Sequence, residues 1–122
     1  MIIHICVGTR DLEKAGRFYD ALTAEIGVAR GATTDRTIYY GSSGSGVGFA
    51  VTLPYDGNPA TFGNGSMATI AAADRAQVDR LHGAALANGG SCEGPPGERA
   101  NGYYAAYWRD PDGNKMNAIV MG

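Results

Sequence analysis

Apolar and polar positions alternate at the start of the chain, with Ile3, Ile5 and Val7 on one side of an extended segment and His4 and Cys6 on the other. That period predicts a strand over residues 1–7. The alternation stops at Gly8. Behind Asp11, a residue type suited to a helix N-cap, Leu12, Ala15, Phe18, Tyr19 and Leu22 recur at the spacing of an amphipathic helix that runs to Ala24 and stops before Gly27. Three β-prone runs follow, at 26–32, 37–41 and 47–53, the last two separated by a turn-rich stretch of small residues at 41–46. The first half reads β-α-β-β-β.

The same plan then repeats. Sliding the chain along itself by 63 positions, the separation of His4 and Met67, lays Val7 over Ile70, Asp11 over Asp74, Phe18 over Leu81 and Gly27 over Gly90. A strand is predicted at 67–73. A helix follows behind Asp74, with Val78, Leu81, Ala85 and Leu86 as its apolar stripe and Asn88-Gly89-Gly90 as its stop. Further strands are expected at 91–93, 102–109 and 115–120. The first two are separated by a Gly94-Pro95-Pro96-Gly97 loop, and the last two form a hairpin turning through Asp110-Pro111-Asp112-Gly113-Asn114. The halves divide as module one, 1–54, a connector, 55–65, and module two, 66–122, within a single domain.

Composition narrows the partners. The 122 residues carry a formal net charge of −2 with both signs interspersed, which leaves no electrostatic footprint for nucleic acid or an anionic membrane surface. No stretch approaches the ~20 apolar residues of a membrane span, and no leader pattern opens the chain, so a cytoplasmic protein is expected. Cys6 and Cys92 fall in different halves, a spacing that suits neither a disulfide framework nor a paired metal motif; two buried, reduced thiols are expected.

The opening His4-Ile-Cys-Val-Gly-Thr-Arg-Asp-Leu-Glu-Lys-Ala-Gly-Arg-Phe-Tyr, the late Tyr-Trp-Arg-Asp-Pro-Asp-Gly-Asn-Lys and the two β-α-β-β-β modules together resemble the vicinal oxygen chelate superfamily of glyoxalases, bleomycin-resistance proteins and extradiol dioxygenases. The resemblance covers essentially the whole chain. It implies an α+β fold of paired modules with curled mixed sheets around a cavity, helices outside, and a homodimer. It also implies that metal-dependent relatives bind one divalent ion through the first and last strands of each module. Those positions fall on His4, Ala50, Met67 and Asn117, of which only His4 is a customary ligand, whereas a catalytic divalent site needs about three good donors.

The expectation is therefore a metal-independent protein with no cofactor, binding a small organic molecule between the modules. The alternative is a metal-dependent lyase or dioxygenase acting on a substrate with adjacent oxygens. Candidate pocket residues are His4, Met67, Tyr103, Tyr107, Asn117 and Arg99. His4 reads either as a half-buried histidine bonded to a neighbouring strand or as a ligand contact. Met67 reads as core or pocket lining. Tyr103 and Tyr107 share a strand face with Ala105, and the resemblance places a substrate-contacting Tyr at the Tyr107 position in some antibiotic-resistance relatives. Arg99 either reaches over the mouth toward an anionic ligand or stays solvated. Trp108 and Tyr104 should pack under the helices, Asp110 and Asp112 should cap their turn, and His82 is expected as a partly exposed residue on the helix flank.

Overall fold

A computed structural model describes residues 2–41 and 47–121, so most of the small-residue turn expected at 41–46 lies outside the described residues. The chain runs β1 (His4–Gly8), α1 (Leu12–Ala24), β2 (Arg30–Thr33), β3 (Thr37–Tyr40), β4 (Gly48–Thr52), β5 (Ala68–Ala71), α2 (Arg75–Ala87), β6 (Ser91–Glu98), β7 (Tyr104–Arg109) and β8 (Lys115–Val120). Both ends of α2 lie 63 residues beyond the ends of α1, the offset read from the sequence. Each helix starts the same way. The Asp11 carboxylate accepts the Lys14 N–H at 3.1 Å, and the Asp74 carboxylate accepts that of Gln77 at 2.8 Å, each cap worth ~1 kcal/mol.

The strands form two four-stranded sheets of identical order, β1-β4-β3-β2 and β5-β8-β7-β6, each with one parallel pair between its first and last strand. The expected α+β pair of modules is present. Strand bounds differ in two informative places. Residues 26–29 turn away from the sheet, because Gly27 takes φ +70° and the Val28 N–H bonds back to the Thr23 carbonyl at 2.9 Å, so β2 begins only at Arg30. Gly94-Pro95-Pro96-Gly97 is not a loop but part of β6, an edge strand whose register slips between Cys92 and Gly94 and again between Gly94 and Gly97. Prolines are tolerated at such slips on an edge because no ladder donor is required of them.

Alternation sends Ile38, Tyr40, Val51, Ala106, Trp108, Met116 and Ala118 to the helix side of the sheets, where they meet Ala15, Phe18, Tyr19 and Leu22 of α1 and Val78, Leu81 and Ala85 of α2. One apolar cluster thus joins both modules. Polar bonds reinforce the seam: the Gln77 side chain donates to the Glu25 carbonyl at 2.9 Å, and Arg80 pairs with Glu25 at 3.2 Å.

The turn at 110–114 has a double role. Asp110 Oδ1 accepts the N–H groups of Asp112 and Asn114, both at 2.9 Å, as a turn cap should. Its Oδ2 reaches the other module and accepts the Tyr19 hydroxyl at 2.6 Å. Asp112 does not cap the turn but accepts from the Thr9 hydroxyl at 2.6 Å and the Arg10 N–H at 2.9 Å, and Asn114 donates to the Gly8 carbonyl at 2.8 Å. The hairpin tip is therefore bolted to the end of β1.

Candidate inter-module cavity and open sheet face

The face of the sheets away from the helices carries several of the residues singled out in the sequence, with Lys115 shared between the depression beside Met67 and the ring of Tyr107. His4 is exposed, makes no side-chain hydrogen bond among the described residues, and stands edge-on to Tyr39 with ring centroids 5.9 Å apart. The half-buried, strand-bonded histidine is thus not what forms among the described residues, where His4 lies exposed on an edge strand. Met67, 46% exposed, lies just before β5 and borders a small depression with Cys6, Phe62 and Lys115. It is not core. Tyr103 precedes β7, half-buried, with its backbone tied to Arg99 and Asn101.

Tyr107 and Asn117 do meet, as direct cross-strand partners on β7 and β8. Arg99 lies over the Tyr107 ring at 5.4 Å and the Lys115 ammonium at 5.6 Å, both at cation–π distance. Arg99 is not a free anion hook, since two of its nitrogens donate to the carbonyls of Pro95 at 2.7 Å and Gly97 at 3.0 Å. Asn117 is fully buried. Its Oδ1 accepts from the Thr69 hydroxyl at 2.7 Å, and its Nδ2 has no partner among the described residues.

The four positions where metal-dependent relatives would place ligands do not fit a divalent ion. Ala50 is fully buried and offers a methyl group, Met67 a thioether, and the Asn117 carbonyl oxygen is already engaged by Thr69. His4 stands alone as a good donor, without a carboxylate to balance the ion's charge. Among the described residues, no three His, Cys, Asp or Glu side chains converge as a ligand set.

The space between the modules lies elsewhere. A half-open cavity of about 400 Å³ is bounded by α1, β4 and the unpaired edges of β1 and β5, with Ile5, Leu22, Ile26, Phe49, Ile70 and Met116 among its walls. No candidate residue named from the sequence lines it. The polar side chains that do are already satisfied: the Tyr19 hydroxyl by Asp110, that of Tyr40 by Asp20 at 2.8 Å, that of Thr23 by the Tyr19 carbonyl at 2.8 Å and that of Thr69 by Asn117. Burial and the Asp110 carboxylate push the Tyr19 pKa well up, and burial with the Asp20 carboxylate does the same to Tyr40, so both phenols stay neutral. Of these, the apolar spacing of the first helix pointed to Tyr19 alone, which is buried; that two edge strands would leave a gap above it carries no local signal.

Three polar assignments change with the fold. Cys6 and Cys92 are both exposed rather than buried, because each sits on an edge strand of its sheet. His82 is only 8% exposed and closes against β6 instead of flanking the helix in solvent.

Two sheets of identical strand order, each with a crossover helix, define a paired β-α-β-β-β protein. The sequence profile of the Glyoxalase/Bleomycin resistance protein/Dioxygenase superfamily matches residues 1–117, and the chain belongs to that superfamily. It is similar over 100% of its length, and 99% of the other chain, to a glyoxalase/bleomycin resistance protein from Albidiferax ferrireducens T118, with 44% identity and a TM-score of 0.92. It shares its fold with a glyoxalase-related enzyme from Fulvimarina pelagi at 23% identity, TM-score 0.81, covering 99% and 88% of the two chains. The same holds for lactoylglutathione lyase from Agrobacterium tumefaciens at 20% identity, TM-score 0.69, covering 98% and 92%. No protein with a curated description matches the chain.

Proposed function

We propose that this chain is a metal-independent member of its superfamily that binds an uncharged, largely apolar small molecule in the cavity between its modules. The observation that carries this reading is the cavity itself. Its volume of about 400 Å³ falls in the range of ~300–1,000 Å³ typical of small-molecule sites. Its walls are apolar and aromatic, and its hydroxyls are already paired, so they hold nothing in reserve for a charged group. An ion entering it would lose its hydration without compensation, whereas an apolar ring would gain from burial. The unfit donor set at His4, Ala50, Met67 and Asn117 supports metal independence on separate grounds.

Matched probes test the charge preference. In thermal denaturation, 2-naphthol at ten times its dissociation constant is expected to stabilise the chain by ~1.4 kcal/mol, roughly 5 °C for a domain of this size, while 2-naphthoate gives no shift. Filling the cavity with Ala68→Phe, or Ala68→Leu should the larger residue disrupt folding, abolishes the 2-naphthol shift. An equal response to the carboxylate, or a response that survives the filled cavity, refutes the reading. Stabilisation by a stoichiometric divalent ion that disappears in His4→Ala would refute metal independence.

A further inference from the structure

Far from the cavity, the fold assembles a pair of reactive groups that lie ten positions apart in sequence. Cys92 sits on β6 opposite Trp108 of β7 and so points to the face that α2 covers. From α2, His82 brings its Nε2 to 3.2 Å from the Cys92 sulfur. The two partners differ in exposure. The imidazole is buried, while Cys92, on an edge strand, is open to solvent. Burial pushes the His82 pKa down, and the Asp79 carboxylate one turn earlier offsets this only in part, so the ring is neutral at pH 7. A neutral imidazole with its proton on Nδ1 presents the Nε2 lone pair to the thiol, the arrangement in which a histidine activates a cysteine. Neither residue lines the inter-module cavity.

We propose that Cys92 and His82 form a thiol-exchange site, at which Cys92 is converted to a mixed disulfide by a small, solvent-borne disulfide compound. The Cys92 S–H proton passes to His82 Nε2 as the sulfur attacks. A new S–S bond forms to one sulfur of the compound, its own S–S bond breaks, and the departing thiolate takes the proton back from the imidazolium. The compound supplies both the oxidising equivalent and the leaving group, so no further oxidant enters. The open edge of β6 admits a small molecule. The buried ring acts only on the proton, since its Nε2 faces the sulfur. Cys6 is the contrast within the same chain: also exposed, it has no imidazole within hydrogen-bond reach, and partial burial raises its pKa against the opposing charge of Arg36.

The test uses the full chain at pH 7 with bis(2-hydroxyethyl) disulfide, following adducts on Cys6 and Cys92 separately by peptide mass spectrometry. Cys92 is expected to react at least about tenfold faster than Cys6, a floor set below the ~10²-fold at which the contribution of a positioned base begins. It is also expected to react faster in the folded chain than in the same chain unfolded in urea. His82→Gln should bring the Cys92 rate down to that of Cys6 while leaving the Cys6 rate unchanged. A Cys92 that reacts no faster than Cys6, or more slowly folded than unfolded, overturns the proposal without recourse to any variant. So does a Cys92 rate indifferent to His82→Gln in a chain whose Cys6 rate shows it to be folded.

Discussion

Asp110→Ala probes the bond between the last hairpin and the first helix. The Asp110 carboxylate is 3% exposed and accepts four hydrogen bonds: two from turn amides at 2.9 Å, one from the Asn114 side chain at 2.8 Å and one from the Tyr19 hydroxyl at 2.6 Å. The Asp112 amide, only partly buried, can find water after the change. The Tyr19 hydroxyl is far worse placed, because Tyr19 is 1% exposed beneath Phe18 and Phe49. Stranding it costs ~1–3 kcal/mol, and the lost turn bonds bring the sum to about 3–4 kcal/mol. Set against a typical stability of ~5–15 kcal/mol, that is a large fraction, and it should lower the melting temperature by roughly 12–15 °C. Tyr19→Phe alone should cost ~1.5 kcal/mol, since it removes one charge-assisted bond and strands nothing on the phenol side. In the Asp110→Ala background the same change should be neutral or slightly stabilising. Urea denaturation of the four proteins then yields a coupling energy of about 2 kcal/mol; additivity to within ~0.5 kcal/mol would refute the claim that this bond joins the modules energetically.

Two other measurements probe the frame around the sites. At Gly90 an added Cβ would lie 2.7 Å from the Arg109 carbonyl oxygen and 2.8 Å from that of Ala85, backbone atoms that cannot yield. Gly90→Ala should therefore cost ~2–3 kcal/mol, whereas Gly27→Ala, with open space but φ +70°, should cost ~1 kcal/mol; equal losses by chemical denaturation would sink the steric argument. The folded-state pKa of His82 lies below its unfolded value, so its contribution to stability is full above pH ~6.5 and is lost as pH falls from there through the folded pKa. The melting temperature should decline between pH 7.5 and 5.5, and His82→Gln should flatten that decline; an unchanged slope would contradict burial of a neutral ring.

Much of the architecture is legible from the residues. The helix bounds follow from local rules, since Asp11 and Asp74 cap at the offset at which Phe18 and Leu81 present their apolar faces, and a helix needs only its own neighbours to start and stop. Strand limits were less legible. Gly94-Pro95-Pro96-Gly97 has loop composition, and only its place on a sheet edge, where prolines need no partner, makes it strand.

The site follows the same division. Of the four positions that the resemblance marks for a metal, the chain by itself shows that only His4 carries a customary donor, because donor chemistry belongs to the side chain wherever it lies. It also determined the two-module plan, through apolar spacing repeated 63 residues on. Only the tertiary structure decided that the edges of β1 and β5 stand apart over an apolar cavity, that Arg99 and Lys115 close on the Tyr107 ring, that Asp110 reaches Tyr19, and that His82 closes on Cys92. Each of these depends on where two distant strands or helices come to rest against one another. Packing of the whole core sets that position, and no residue's local pattern encodes it.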